Sequence, residues 1–251
     1  MRFNQSLVWN PLPADLVLSS HDIHVWRASL EQPDALIQRL SQTLSEDERI
    51  RGDRFYFERD RKHFIVGRGL LRAILGRYLS LEPQQLQFCY SPRGKPTLAN
   101  TGAGSSLQFN LSHSQGLVLY AFTRDRQVGI DIEYMRPTSD VEQLAQRFFS
   151  PREHAVLRSL SPNQKQEAFF HGWTCKEAYL KAIGEGLAQL EQVEVSLIPE
   201  EPAQLLSIGK DSQALTRWSL QTLTPAPDYK AALAVEGHDW HLTCWQWSTE
   251  D

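Results

Sequence analysis

The chain has 251 residues and a formal net charge of −4, with 41% hydrophobic and 22% charged residues. This is ordinary globular usage. It excludes a disordered or collagen-like chain, and the length allows one or two domains. No apolar run approaches the roughly 20 residues that span a bilayer, and the acidic balance argues against a dedicated nucleic-acid binder. Neither a membrane nor a nucleic acid is therefore expected as a partner. Residues 1–10 lack a charged start followed by a long apolar stretch, and Cys89, Cys175 and Cys244 are too few and too far apart for a disulfide framework. A cytoplasmic protein is expected.

In chain order, residues 21–28 (HDIHVWRA) alternate as a strand does. Ser45 precedes three acids, and Glu48 stands where a capping box needs it, so a helix starts there. From Arg49 to Arg77 lie eight arginines and one lysine against three acids. Such a run is either a solvated helix face or an anion site. Within it Phe64, Leu71, Ile74, Leu75 and Tyr78 recur at helical spacing, which predicts a helix over about 60–79, closed before Pro83. Four short β-rich runs follow at 86–90, 107–111, 117–122 and 128–133, with a loop by composition at 99–106. After Pro137 a helical region begins, and Ser150-Pro151-Arg152-Glu153 starts another helix. A long helix over about 164–183 stops at Gly184. Strand-like runs close the chain at 193–197, 218–223, 230–235 and 241–247.

The order long helix, short strand, then three strands occurs twice, from about 60 to 133 and from about 165 to 247. This predicts an α+β fold of two similar, pseudo-symmetric lobes, each a long helix packed on a mostly antiparallel sheet. The boundary falls near 123–127, giving lobes 1–126 and 127–251, with a ligand cleft between them.

Four segments carry chemistry. In Val128-Gly129-Ile130-Asp131-Ile132-Glu133 the strand period sends Val128, Ile130 and Ile132 to the core and the two acids to the other face, with Gly129 clearing room beside them. Paired carboxylates suit a divalent cation, although a solvated strand face looks the same. On the long helix Trp173, Glu177 and Lys181 share one face. This is either an ordinary ion-paired helix surface or a third carboxylate beside an ammonium for phosphate chemistry. Ser112 and His113 follow Phe109 and Leu111 at a strand end, and no nucleophile elbow accompanies them. Ser91-Pro92-Arg93-Gly94-Lys95-Pro96 is a turn presenting two cations. There is no zinc spacing, Walker loop or dinucleotide fingerprint, and Cys175 is expected to pack.

Taken together and in order, these segments resemble the 4′-phosphopantetheinyl transferases of the Sfp type. The match spans about residues 45–200. It comprises Gly67-Arg68-Gly69-Leu70-Leu71-Arg72, Gly94-Lys95-Pro96, Phe109 to Ser114, Gly129 to Glu133, Arg147-Phe148-Phe149, and Trp173 through Lys181 with Gly184-x-Gly186-Leu187. Each piece is weak alone; the ordered set is specific. Two positions depart from some relatives: Phe64 stands where they carry a hydroxyl, and Glu48 where they carry a base.

The resemblance implies that Asp131, Glu133 and Glu177 hold Mg²⁺ against the pyrophosphate of coenzyme A. Lys181 would stabilise the leaving phosphate, and Glu177 or a water on the metal would be the base. Ser112 and His113 would touch the phosphates. Lys95 and Arg51 would meet the nucleotide end with its 3′-phosphate, with Arg49 and Arg93 as further candidates. The first lobe would bind the nucleotide, and the second would carry the magnesium site and the docking surface. A serine of an apo acyl, polyketide or peptidyl carrier protein would attack the β-phosphate, releasing 3′,5′-ADP. The carrier would pack on residues 134–149, against Met135, Val141, Leu144 and Phe148. A monomer is expected. The competing readings are a non-catalytic module that binds carriers or nucleotides, and a Mg²⁺-dependent phosphohydrolase.

Overall fold

In the computed structural model, which describes residues 7–13, 15–99, 106–136, 140–198, 201–209, 211 and 213–248, local sequence signals set most element ends. Strands β1 (Trp9–Asn10) and β2 (Asp22–Ser29) precede helices α1 (Asp34–Ser41), α2 (Glu46–Gly52) and α3 (Glu58–Leu79). Helix α2 opens on the expected capping box, where the Ser45 amide donates to Glu48 Oε2 at 3.0 Å. A short hairpin, β3 (Phe88–Tyr90) and β4 (Pro96–Leu98), follows, then β5 (Leu107–Ser114), β6 (Leu117–Arg124) and β7 (Val128–Tyr134). Next come α4 (Val141–Phe148), α5 (Pro151–Ser159) and α6 (Pro162–Ile183), the last closed by Gly184 at φ 75°. The chain ends with β8 (Val193–Val195), β9 (Leu205–Ile208), α7 (Ala214–Arg217), β10 (Trp218–Leu223), β11 (Tyr229–Glu236) and β12 (His241–Gln246). Most of the expected loop at 99–106 and the expected boundary at Pro137 lie outside the described residues. Among the described residues no helix is long and apolar enough to cross a membrane.

The α+β class and the two-fold repeat are present: α3 and α6 are each followed by a small hairpin and further strands. The pairing departs from two self-contained lobes, because the fourth strand of each repeat crosses over. β7 joins β10 and β11 in a three-stranded sheet, while β12 lies between β1 and β2 in a five-stranded sheet ordered β1-β12-β2-β6-β5. The β12 pairings to β1 and β2 are parallel. β12 packs on both faces. Cys244 of β12 enters the core between the sheets, while Trp245 and the adjacent Trp247 pack under α3.

The result is four layers. Alternation along β2 and β6 sends Trp26, Tyr120 and Phe122 toward Leu70, Leu71 and Ile74 of α3, and Ile23, Val25, Leu119 and Ala121 toward the second sheet. Val128, Ile130 and Ile132 of β7 meet them there, as expected. The opposite face of the second sheet packs on α6 through Ala232 and Ala234 against Ala178 and Ala182. Asp131 and Glu133 therefore point toward α6. Gly129 has a different task from the one its sequence suggests. A Cβ there would stand 2.9 Å from Ala182 Cα, and closer still to Ala178 O and Ala182 N, so it makes room for the helix backbone and not for the carboxylates.

Candidate active site between the sheets and α6

Strands β5 and β7 are edges of different sheets, yet they are joined by polar rungs. On β5, Phe109 and Leu111 face the first core, so Asn110, Ser112 and Ser114 share the other face. Asn110 Oδ1 accepts the Ile130 amide at 3.0 Å. Ser112 Oγ donates to Asp131 Oδ1 at 2.9 Å, and Ser114 Oγ donates to Glu133 Oε2 at 2.9 Å. Ser114 Oγ also accepts the Tyr134 amide at 3.1 Å. Both acids are thus aimed by hydroxyls from the first sheet. Asn110 and Ser114 were not among the expected site residues. Their period-two spacing with Ser112 was the signal that could have found them.

From α6, Lys181 Nζ reaches Asp131 Oδ1 at 2.6 Å and donates to Ser112 Oγ at 2.8 Å. This triangle ties β5, β7 and α6 at one point. Asp131 is only 3% exposed, and its second oxygen, Oδ2, has no partner; neither does Glu177 Oε1, one helical turn before Lys181. Desolvation, and then the Asp131 charge, raise the Glu177 carboxyl to about 7. The same causes raise Glu133, and its bond from Ser114 opposes them. Buried carboxylate oxygens without donors have an unmet demand for a cation. Oxygen-only donors fit a hard divalent ion such as Mg²⁺. Among the described residues no three acidic, histidine or cysteine side chains close into a ready-made metal cage.

Beside the triangle lies a cleft of about 430 Å³. It is walled by α3, the β3–β4 turn, β5 and the end of α6. Of the expected residues, Arg51, Arg93, Lys95, Ser112, His113 and Lys181 line it, and Arg49, Asp131, Glu133 and Glu177 do not. Arg68, His63 and Phe64 line it as well, and among the described residues Glu185 is the one acid in its walls. Phe64 places an aromatic ring under the Arg51 guanidinium at 5.6 Å. His113 is held below the usual imidazole range by desolvation, then by the charges of Lys181 and His63. A cation-rich wall of this kind recruits a polyanion.

Two of the expected cleft cations, Lys95 and Arg93, are already engaged, and so is Arg68. Lys95 Nζ donates to the carbonyl oxygens of Lys181 and Ala182 at 2.7 and 2.8 Å, and burial lowers its pKa to about 8. Arg93 pairs with Glu185 just past the helix end. Arg68 Nε lies 3.4 Å from the buried Glu48 Oε1, while Arg72 Nε reaches Glu48 Oε2 at 2.6 Å. The Arg49–Arg77 run is therefore neither wholly a solvated face nor wholly an anion site. Glu48 neutralises part of it inside the protein. In the expected docking segment Val141 is buried, whereas Met135, Leu144 and Phe148 pack on the core around α6 and stay partly accessible.

The chain is similar to known proteins along most of its length. Residues 127–234 match the model of the 4′-phosphopantetheinyl transferase superfamily, and residues 24–124 match that of the 4′-phosphopantetheinyl transferase N-terminal region. The chain is 52% identical over 239 residues to 4′-phosphopantetheinyl transferase HetI of Nostoc sp., covering 95% of this chain and 98% of that protein. It is 35% identical to 4′-phosphopantetheinyl transferase AcpT of Salmonella typhimurium, over 62% of this chain and 74% of that one. It is 31% identical to 4′-phosphopantetheinyl transferase Sfp of Bacillus subtilis, over 60% of this chain and 65% of that one.

Proposed function

The chain belongs to the 4′-phosphopantetheinyl transferase superfamily and transfers the phosphopantetheine arm of coenzyme A to carrier proteins, and from that premise we propose how its own residues do so. Asp131, Glu133 and Glu177 hold Mg²⁺. Bound there, the ion neutralises charge on the pyrophosphate of coenzyme A. Residues 1–126 supply most of the nucleotide cleft. Arg51, Arg93 and His113 border the phosphates, and Arg49 stands outside as a long-range attraction for them. Residues 127–251 supply the acids and the docking face, with β12 bracing the first sheet.

Glu177 accepts the proton of the attacking carrier serine, and Lys181, one turn along the same helix, faces the phosphate that leaves with 3′,5′-ADP. Ser112 orients both Lys181 and Asp131. Little covalent chemistry is asked of the protein; positioning and electrostatics dominate phosphoryl-type transfer. The carrier, of fatty-acid, polyketide or peptide synthesis, rests on Met135, Leu144 and Phe148. The enzyme works as a monomer in the cytoplasm.

The observation that carries this reading is the Lys181–Asp131–Ser112 triangle, with two partnerless buried carboxylate oxygens beside a cationic cleft. The test is the intact mass of an apo carrier incubated with coenzyme A, Mg²⁺ and enzyme. One phosphopantetheine arm is expected, lost with EDTA and lost in Asp131→Asn or Glu177→Gln. Near wild-type transfer by either variant refutes the metal assignment. Phosphate release from coenzyme A without any carrier would favour a hydrolase instead.

A further inference from the structure

The last carbonyls of a helix have no partners within it. On α6, Lys181 and Ala182 stand in that last turn, and the chain leaves through Gly184 in the left-handed region. The groups that satisfy Lys181 O and Ala182 O come from the other half of the chain. The Lys95 ammonium gives one N–H to each, at 2.7 and 2.8 Å. A cation is also the favourable charge at this negative end of the helix dipole.

The turn that carries Lys95 is built to hold it there. Ser91 N donates to Lys95 O at 2.9 Å, and Lys95 N donates to Ser91 Oγ at 3.1 Å. Gly94 takes φ 83°, which the reversal requires. Two residues before Lys95, Arg93 pairs with Glu185, immediately beyond the helix end. The turn is therefore strapped to α6 by two independent contacts. Lys181 is fixed at both ends. Lys95 grips its backbone carbonyl, while Ser112 and Asp131 grip its ammonium.

We infer that Lys95 is a positioning residue for Lys181, setting the end of α6 across the lobe boundary, and not chiefly a ligand of the nucleotide. This rests on the transferase reading of the site. It makes the opposite kinetic statement from nucleotide binding. A ligand of coenzyme A acts on KM, whereas a residue that aims a transition-state cation acts on kcat.

The test compares Lys95→Met and Lys95→Arg with wild type in transfer to an apo carrier, with coenzyme A affinity measured by calorimetry. Lys95→Met is expected to lower kcat by about tenfold or more while KM and Kd for coenzyme A stay within about threefold. Lys95→Arg, which keeps a cation with several N–H donors, is expected to restore most of kcat. In a double-mutant cycle with Ser112→Ala, the two losses are expected to be strongly non-additive, because both act through Lys181. A tenfold rise in KM with kcat unchanged, or additive losses in the cycle, overturns the inference. If Lys95→Met does not fold by circular dichroism, Lys95→Gln is read against the same outcomes. Wild-type enzyme that modifies no carrier removes the transferase reading itself, whereas wild-type turnover with an effect confined to KM removes only the role of Lys95.

Discussion

The side-chain oxygen of Asn110 accepts the backbone amide of Ile130 at 3.0 Å, joining two strands that share no backbone ladder. Both residues are buried, so the amide has no recourse to water. Asn110→Ala removes the acceptor and leaves the donor orphaned, which costs about 1–3 kcal/mol. Urea unfolding is expected to show that loss. A change below about 0.5 kcal/mol would mean that the amide finds another partner and that the rung is dispensable.

Ser114 makes the next rung, and its role is electrostatic as well as structural. Its hydroxyl favours the charged form of Glu133 against burial and the neighbouring Asp131. Ser114→Ala therefore raises the Glu133 pKa further. A carboxyl with a raised pKa stays protonated to higher pH, so protons compete better with a cation there. Residues that support metal ligands typically contribute about 10–100-fold in metal affinity. The expected result is a weaker apparent Mg²⁺ affinity near neutral pH, partly recovered as pH rises. An unchanged Mg²⁺ dependence of transfer would detach Ser114, and with it Glu133, from the metal site.

What could be read from the sequence follows the range of the interactions. The Ser45–Glu48 capping box and the helix start at Ser150-Pro151 are set within a few residues and were legible; the structure adds a capping box between Ser150 and Glu153. So was the alternation that turns Asp131 and Glu133 away from Ile130 and Ile132. Lys176 and Glu177 show the limit. They are adjacent and both charged, yet Lys176 lies buried against Glu153 at 2.6 Å while Glu177 faces the site. Glu153 also accepts the Val195 amide at 2.9 Å, so one carboxylate ties α5, α6 and β8 together. Nothing within a turn of Lys176 announces that partner. The exchange of β7 and β12 was hidden for the same reason. Strand propensity is local, whereas the choice of neighbour is made by both faces of the finished sheet.

His24 makes stability depend on pH. Trp26 Nε1 donates to the Tyr78 hydroxyl at 2.9 Å, and the same hydroxyl is hydrogen-bonded to His24 Nδ1 at 2.8 Å, so the imidazole is buried in an uncharged network. Burial lowers the His24 pKa from 6.5 to about 4. Below 6.5 the unfolded chain binds this proton and the folded one does not, so stability falls as pH falls toward 4. At 1.36 kcal/mol per unit, the loss is on the order of 3 kcal/mol by the bottom of that window. Urea unfolding at several pH values between 4 and 7 is expected to show this slope, and His24→Gln is expected to flatten it. An equal slope in the variant would assign the acid sensitivity to other groups.

Gly129 tests the placement of the whole site on α6. The helix comes close enough to β7 that a Cβ at position 129 would overlap Ala178 O and Ala182 N. These are backbone atoms of a packed helix, so no side-chain rotation relieves the overlap; α6 must move. Overpacking of this kind costs about 1–3 kcal/mol, and occasionally more. Here the displaced helix carries Glu177 and Lys181, so stability and turnover are tied to one displacement. Gly129→Ala is expected to lower the unfolding midpoint and to reduce kcat by more than the unfolded fraction explains, because Lys181 is lifted from Asp131 and Ser112. Measuring transfer at a temperature where circular dichroism shows the variant fully folded separates the two effects. A folded variant with wild-type kcat would mean that α6 can shift without disturbing the triangle, and the close approach at Gly129 would then be a packing detail alone.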